Sequence, residues 1–300
     1  MVIIKSLRRA IGHLTDYPVL FVPFAAYAVL QIPQLFLEML DPIVGAVASL
    51  GFSLVLLFIT PAVYAGALGM VNDADRGRPT SLDRFVGHAK TYYLSVLGAY
   101  LFVTAVTIGF AILIAIAAIA VFAILFAGGA GPAAMLVGGG AVLLLVLAML
   151  IVLFALHFCA HAIVVEDVGA VSGLSRSVEV VRSNLLPVGL YAVLSTIAGA
   201  VVGGLYSLLI LLAFPTATEP GQPAPAPDLV PALVASVGSV VFLTLFGALF
   251  AAFTVVFYRE LTDAAERERS EAGSVASPDE GPTSSTTGDG DHAGEFSGTA

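Results

Sequence analysis

Three hundred residues would suit one large soluble domain or two small ones, but 59% are hydrophobic and only 11% charged, against roughly 45–50% and about 25% in soluble domains. A water-solvated fold is excluded, because its surface needs more polar cover than this chain can supply. The net charge of −9 is concentrated late: residues 259–300 hold 10 acidic and 3 basic side chains, while 1–258 hold 11 and 9. The clustered basic surface that a nucleic-acid partner needs is missing.

Charge-free runs cover 17–37, 42–72, 91–165, 183–218 and 229–258, and about 20 apolar residues suffice for a helix to cross hydrocarbon. Ahead of the first run, SLRRAIGHLTDY (6–17) carries Leu7, Ile11 and Leu14, in line with Ile4 just before it, at helical spacing with charges opposite. Such a basic amphipathic helix lies in a headgroup layer. The first span, about 19–40, carries Tyr27, Gln31, Gln34 and Glu38 on one face. Polar groups at that depth face a bundle interior or a wet cavity, so this stripe either lines a path for a small solute or ties helices together by hydrogen bonds.

The second span, about 44–70, contains Thr60-Pro61, a kink signal. Its pairs Ala62/Gly66 and Ala65/Gly69 allow close helix contact. Then SLDRFVGHAKTY (81–92) repeats the opening segment: Ser6/Ser81, Leu7/Leu82, Arg9/Arg84, Gly12/Gly87, His13/His88 and Tyr17/Tyr92 are identical. The long run that follows must fold back, since 75 residues of helix at ~1.5 Å each would exceed three bilayers. Glycines in 127–140 place a loop there, between spans at about 94–126 and 141–164.

His157 and His161 share a helix face in the fourth span, whereas Cys159 sits about 200° away from His157 and the HExxH arrangement is absent. Neither metal nor cofactor is expected. A third, weaker copy, GLSRSVEVVRSN (173–184), keeps Leu174, Arg176 and Val178, and precedes the fifth span at about 185–213. Residues 215–228 hold five prolines, a stiff connection, before the sixth span at about 229–257. Beyond Arg269 the chain is polar and acidic, so 259–300 reads as a mostly disordered tail.

All twelve lysines and arginines fall on one set of alternate connections and none on the other. By the positive-inside rule both termini are cytoplasmic. The resulting picture is an all-α polytopic membrane bundle: six transmembrane helices as three hairpins, each preceded by a cytoplasmic interfacial helix, occupying 1–258 of a chain in the cell membrane. Arg9, Arg84 and Arg176, with His13 and His88, are the expected contacts to anionic lipid headgroups.

The pattern SLxRxxGHxxxY, a proline-interrupted span, three hairpins and an acidic tail resemble a group of uncharacterised six-span membrane proteins from halophilic archaea. More distantly the chain is similar to the membrane domain found beside glycerophosphodiester phosphodiesterase domains. That resemblance covers about residues 1–260 and implies no catalytic residues, because the soluble phosphodiesterase domain has no counterpart here. No enzyme is expected. The leading expectation is a lipid-interacting role in membrane organisation or a membrane-embedded partner for another protein or a second copy. The rival is a permease or channel for a small or lipid-like solute.

Overall fold

The computed structural model describes residues 2–37, 42–126, 131–213 and 229–275. Among them every regular element is helical: α1 (Val2–Asp16), α2 (Phe21–Leu37), α3 (Pro42–Asp75), α4 (Leu82–Phe126), α5 (Pro132–Ala155), α6 (Cys159–Glu166), α7 (Ala170–Ser183), α8 (Leu185–Ala213) and α9 (Leu229–Val275). The chain divides into two compact units, Met1–Thr262 and Asp263–Ala300. Five stretches are long and apolar enough to cross a membrane: Ile43–Asp75, Leu82–Phe126, Met135–Glu166, Leu185–Leu211 and Val230–Ala265. A sixth would be the bent pair Val2–Asp16 and Pro18–Gln34. This is a membrane-embedded helical bundle.

Several local expectations are corrected. The glycine-rich stretch 132–140 is helix, not loop, since α5 starts at Pro132 and runs through Gly138–Gly140. Inside hydrocarbon an unbonded backbone is costly, so glycine there stays helical. Gly138 instead receives a neighbour: a Cβ at that position would overlap Val121 of α4. The fourth span is not one helix, because α5 stops at Ala155 and α6 begins at Cys159. Segment 81–92 is not a separate interfacial helix; α4 continues without interruption from Leu82 for 45 residues. The opening segment does end, at Pro18, where the chain bends by 99° into the next helix, and the third ends at Asn184. No proline or cap residue stops α4 in the equivalent place. The last helix extends past Arg269 to Val275.

The first amphipathic helix also turns differently from its pattern. Its buried face is Ser6, Ala10 and Leu14, while Ile4, Leu7 and Ile11 are exposed. Within the bundle α2 packs on α3 and α4 on both α3 and α5. The last pair meets where Tyr191 of α8 stacks on Phe257 of α9, ring centres 4.6 Å apart. Buried side chains concentrate at the end that carries the lysines and arginines: Leu68, Met70 and Val71 of α3, Ile163 of α6, and Val255–Tyr258 of α9. Further from that end, Ile112, Ile116 and Ile119 of α4 and Leu143, Leu144 and Leu147 of α5 are exposed. In water such apolar faces would be untenable; in lipid they need no partner.

Candidate functional site

At the cation-bearing end, α3 stops in a tight cap. Gly77 takes a positive φ of 68°, Arg78 N–H donates to the Asp73 carbonyl at 2.8 Å, and Gly77 N–H to that of Ala74 at 3.0 Å. These two bonds are a Schellman cap, which a glycine at that position makes without strain. They hold Asn72-Asp73-Ala74-Asp75 rigidly helical, so carboxylates two residues apart point to different neighbours. Asp73 and Asp75 side chains are 0% and 1% exposed. Burying a carboxylate is tolerable only with counter-charge and hydrogen bonds.

Both carboxylates are matched. Asp75 meets Arg9 at 2.9 Å, His13 at 2.9 Å and Arg259, joining α1 and α9 to the end of α3. Asp73 meets Arg78 at 2.5 Å and His88 at 2.7 Å, joining α4. His13 and His88, which align in the two similar segments, thus each reach an aspartate of the same helix end. A second centre lies on α6. Arg176 Nε donates to Glu166 at 2.8 Å and its Nη1 reaches Glu179 at 2.9 Å, while Tyr258 O–H donates to Glu166 at 2.6 Å. Burial alone would disfavour the Arg176 charge, but hydrogen bonds to Glu179 and Glu166 hold its pKa above the ordinary arginine value. Arg76 donates to the Val165 carbonyl at 3.1 Å, linking the two centres.

Of the five residues read from sequence as headgroup contacts, Arg9, His13, His88 and Arg176 are therefore occupied by the chain's own carboxylates. Arg84 is exposed and makes no ion pair among the described residues. Arg8, which the sequence reading passed over, is likewise exposed and without an ion pair among them. It lines a groove of about 560 Å³ with Ile4, Lys5 and Arg9. Lys5 and Arg9 also hold Glu260, at 3.0 Å each. The missed partners are Asp73, Asp75, Glu166, Glu179 and Glu260. Their signal was available, since seven of the eleven acids of 1–258 lie beside the basic connections and Glu260 follows Arg259, but a count of cations alone does not weigh them.

The polar stripe of α2 has a different setting. Tyr27 and Gln31 line a cavity of about 240 Å³ together with Thr60 and Tyr64 of α3, and Phe250 of α9. Thr60 commits its proton to the Leu56 carbonyl at 2.7 Å, so Tyr27 O–H must be the donor in its 2.9 Å contact with Thr60 Oγ1. This side-chain bond sits next to Pro61, which lies within α3 without ending it. Gln34 Oε1 is buried and makes no hydrogen bond with the described residues; Glu38 lies outside those residues. Behind Tyr64 stands His161, 2% exposed, with neither ring nitrogen hydrogen-bonded among them and the two ring centres 6.3 Å apart.

The histidine pair of the fourth span does not share a continuous helix. His157 lies in the break and contacts Tyr191 Oη at 3.2 Å, whereas His161 is inside α6. Among the described residues no group of three or more histidine, cysteine or acidic side chains is arranged to hold a metal ion.

A family model described as Domain of unknown function (DUF7847) matches residues 1–261. The chain belongs to that family. The matched stretch takes in every member of the ion-pair network, including Tyr258, Arg259 and Glu260, and it ends beside the boundary of the first compact unit at Thr262. No curated protein and no solved structure matches the chain.

Proposed function

We propose that this protein is a non-catalytic bundle of six spans in three out-and-back pairs, its cation-bearing end and both termini cytoplasmic in the cell membrane, which engages anionic lipid through α1. One observation carries the reading. The helix turns 99° away from the span that follows and leaves Ile4, Leu7 and Ile11 exposed beside Arg8. An apolar stripe bordered by free guanidinium is the surface that sits in a headgroup layer. Arg84, with exposed Leu82 and Val86, repeats that chemistry on α4. The ion pairs make the end stiff, so two cations stay presented rather than collapsing onto carboxylates. The similar segments around His13 and His88 support the internal repeat, and with it the likeness to the membrane domain found beside phosphodiesterase domains.

The test is native mass spectrometry of the full chain extracted in mild detergent and offered phosphatidylglycerol or phosphatidylcholine. Retention of the anionic lipid is expected to exceed that of the neutral one. Arg8→Gln and Arg84→Gln should each weaken it about 5-fold, since a basic residue at the surface contributes about 1 kcal/mol. Arg176→Gln should not, because that guanidinium is already spent on Glu166 and Glu179. Equal retention of the two lipids, or loss only with Arg176→Gln, would overturn the proposal.

A second reading is favoured by the uncharged polar side chains that line the α2–α3–α9 cavity, Tyr27, Gln31, Thr60 and Tyr64. A small neutral solute there would find hydrogen-bonding groups and no charge. In proteoliposomes, glycerol entry should be faster than in empty vesicles, and Tyr27→Phe with Gln31→Leu should return it to the empty-vesicle rate. Vesicles with wild-type protein that stay as impermeable as empty ones dispose of this reading.

A further inference from the structure

The break between α5 and α6 produces a third polar feature, unrelated to the lipid-headgroup surface or to the α2 stripe. Ser177 of α7 closes the break: its hydroxyl donates to the Ala155 carbonyl at 2.8 Å and accepts the Phe158 N–H at 3.1 Å. With those backbone groups satisfied, the turn is stable and His157 is held against α8. A groove of about 570 Å³ opens there, walled by Leu150, Ile151 and Phe154 of α5 and floored by His157, Tyr191 and Ser195.

The proton positions in the floor follow from one end of the chain of bonds. Thr254 O–H donates to the Phe250 carbonyl at 2.7 Å, so Tyr191 O–H donates to Thr254 Oγ1 at 3.0 Å. Tyr191 oxygen then accepts from His157, whose proton must sit on Nε2, 3.2 Å away. With Nε2 carrying that proton, the neutral imidazole keeps its lone pair on Nδ1. Ser195 Oγ is shielded in the same floor without a hydrogen bond among the described residues. The groove thus offers an acceptor on His157 and the hydroxyls of Ser195 and Thr196, and among the described residues no Asp, Glu, Lys or Arg lines it.

Position narrows the class of ligand. The eight residues of α6, about 12 Å of helix, separate the break from Glu166 and the charged end. A phosphate or carboxylate would have to be stripped of water to reach that depth and would meet no cation there. A hydroxyl can donate to the histidine and accept from the serine, while its chain lies along the leucine and isoleucine wall. We propose that the α5–α8 groove binds an uncharged lipid with a hydroxyl head, entering sideways from the bilayer.

The experiment uses the full chain in detergent and a diazirine-bearing hexadecanol as the probe, with the crosslinked peptide mapped after ultraviolet exposure. Labelling should fall within 150–157 or 191–196 and should be displaced by unlabelled farnesol or dioleoylglycerol. Whichever competes better identifies an isoprenoid or a glyceride as the source of the head. Ser195→Ala, a near-isosteric change, should lower labelling at least 5-fold while the melting temperature stays put. Ala192→Phe, which fills the groove, should abolish it. Labelling of the same peptides by the matching diazirine palmitate with equal efficiency, or labelling that Ser195→Ala leaves unchanged, would overturn the proposal.

Discussion

Replacing Asp75 with alanine should destabilise the fold by about 3–5 kcal/mol, the cost of breaking a buried ion pair from one side. The carboxylate is 1% exposed and is shared by Arg9, His13 and Arg259, so three groups from two helices lose their common partner. Arg9 is half-exposed and keeps Glu260, so it can turn toward water. Arg259 and His13 are largely enclosed and bear most of the loss. The measurement is unfolding of the purified protein in mild detergent, followed by far-ultraviolet circular dichroism. Lys5→Ala is the control: its side chain is 64% exposed, and exposed pairs contribute about 0–1 kcal/mol. Equal losses at the two positions would show that desolvation at the α3 end does not matter.

Gly69→Ala and Gly66→Ala should each destabilise the same protein by about 1–3 kcal/mol through overpacking. A Cβ on Gly66 would sit against the Phe85 ring and 2.9 Å from the Phe85 carbonyl, and one on Gly69 would overlap the His88 ring. Gly69→Ala has a further consequence, because His88 pushed from its place loses the 2.7 Å contact to Asp73. Gly87→Ala and Gly12→Ala provide the contrast. A Cβ at either position meets nothing within 4 Å, so relief of glycine's backbone entropy should stabilise the helix by about 0.5–1 kcal/mol. The same unfolding assay separates the two pairs. Destabilisation of all four alike would mean that close α3–α4 approach is not what these glycines provide.

Those two pairs also mark how far pattern alone reaches. Gly12 and Gly87 are identical in the two similar segments and invite a packing role, yet both face open space. Gly66 and Gly69 were legible as a small-residue face, but their partners, Phe85 and His88, belong to another helix. Tyr27 and Gln31 were placed on one face by spacing, and they do share a cavity; Thr60 and Tyr64, which complete it, come from α3. The break at Leu156–Phe158 left no trace in hydropathy, since Ala155-Leu156-His157-Phe158 contains neither glycine nor proline. A serine nineteen residues on from Phe158 makes it stable.

Membrane embedding, helical class and the placing of the lysines and arginines outside the long apolar runs follow from composition and order, because transfer into hydrocarbon and backbone satisfaction act on each segment separately. Which side chains those cations serve could not follow from order. The acids at the α3, α6 and α9 ends reach them only once the helices pack, over separations of up to 255 residues along the chain. Coulomb attraction at short range and exclusion of water, both set by three-dimensional proximity, turned arginines and histidines that suit lipid phosphate into internal ties, and left Arg8 and Arg84 facing outward.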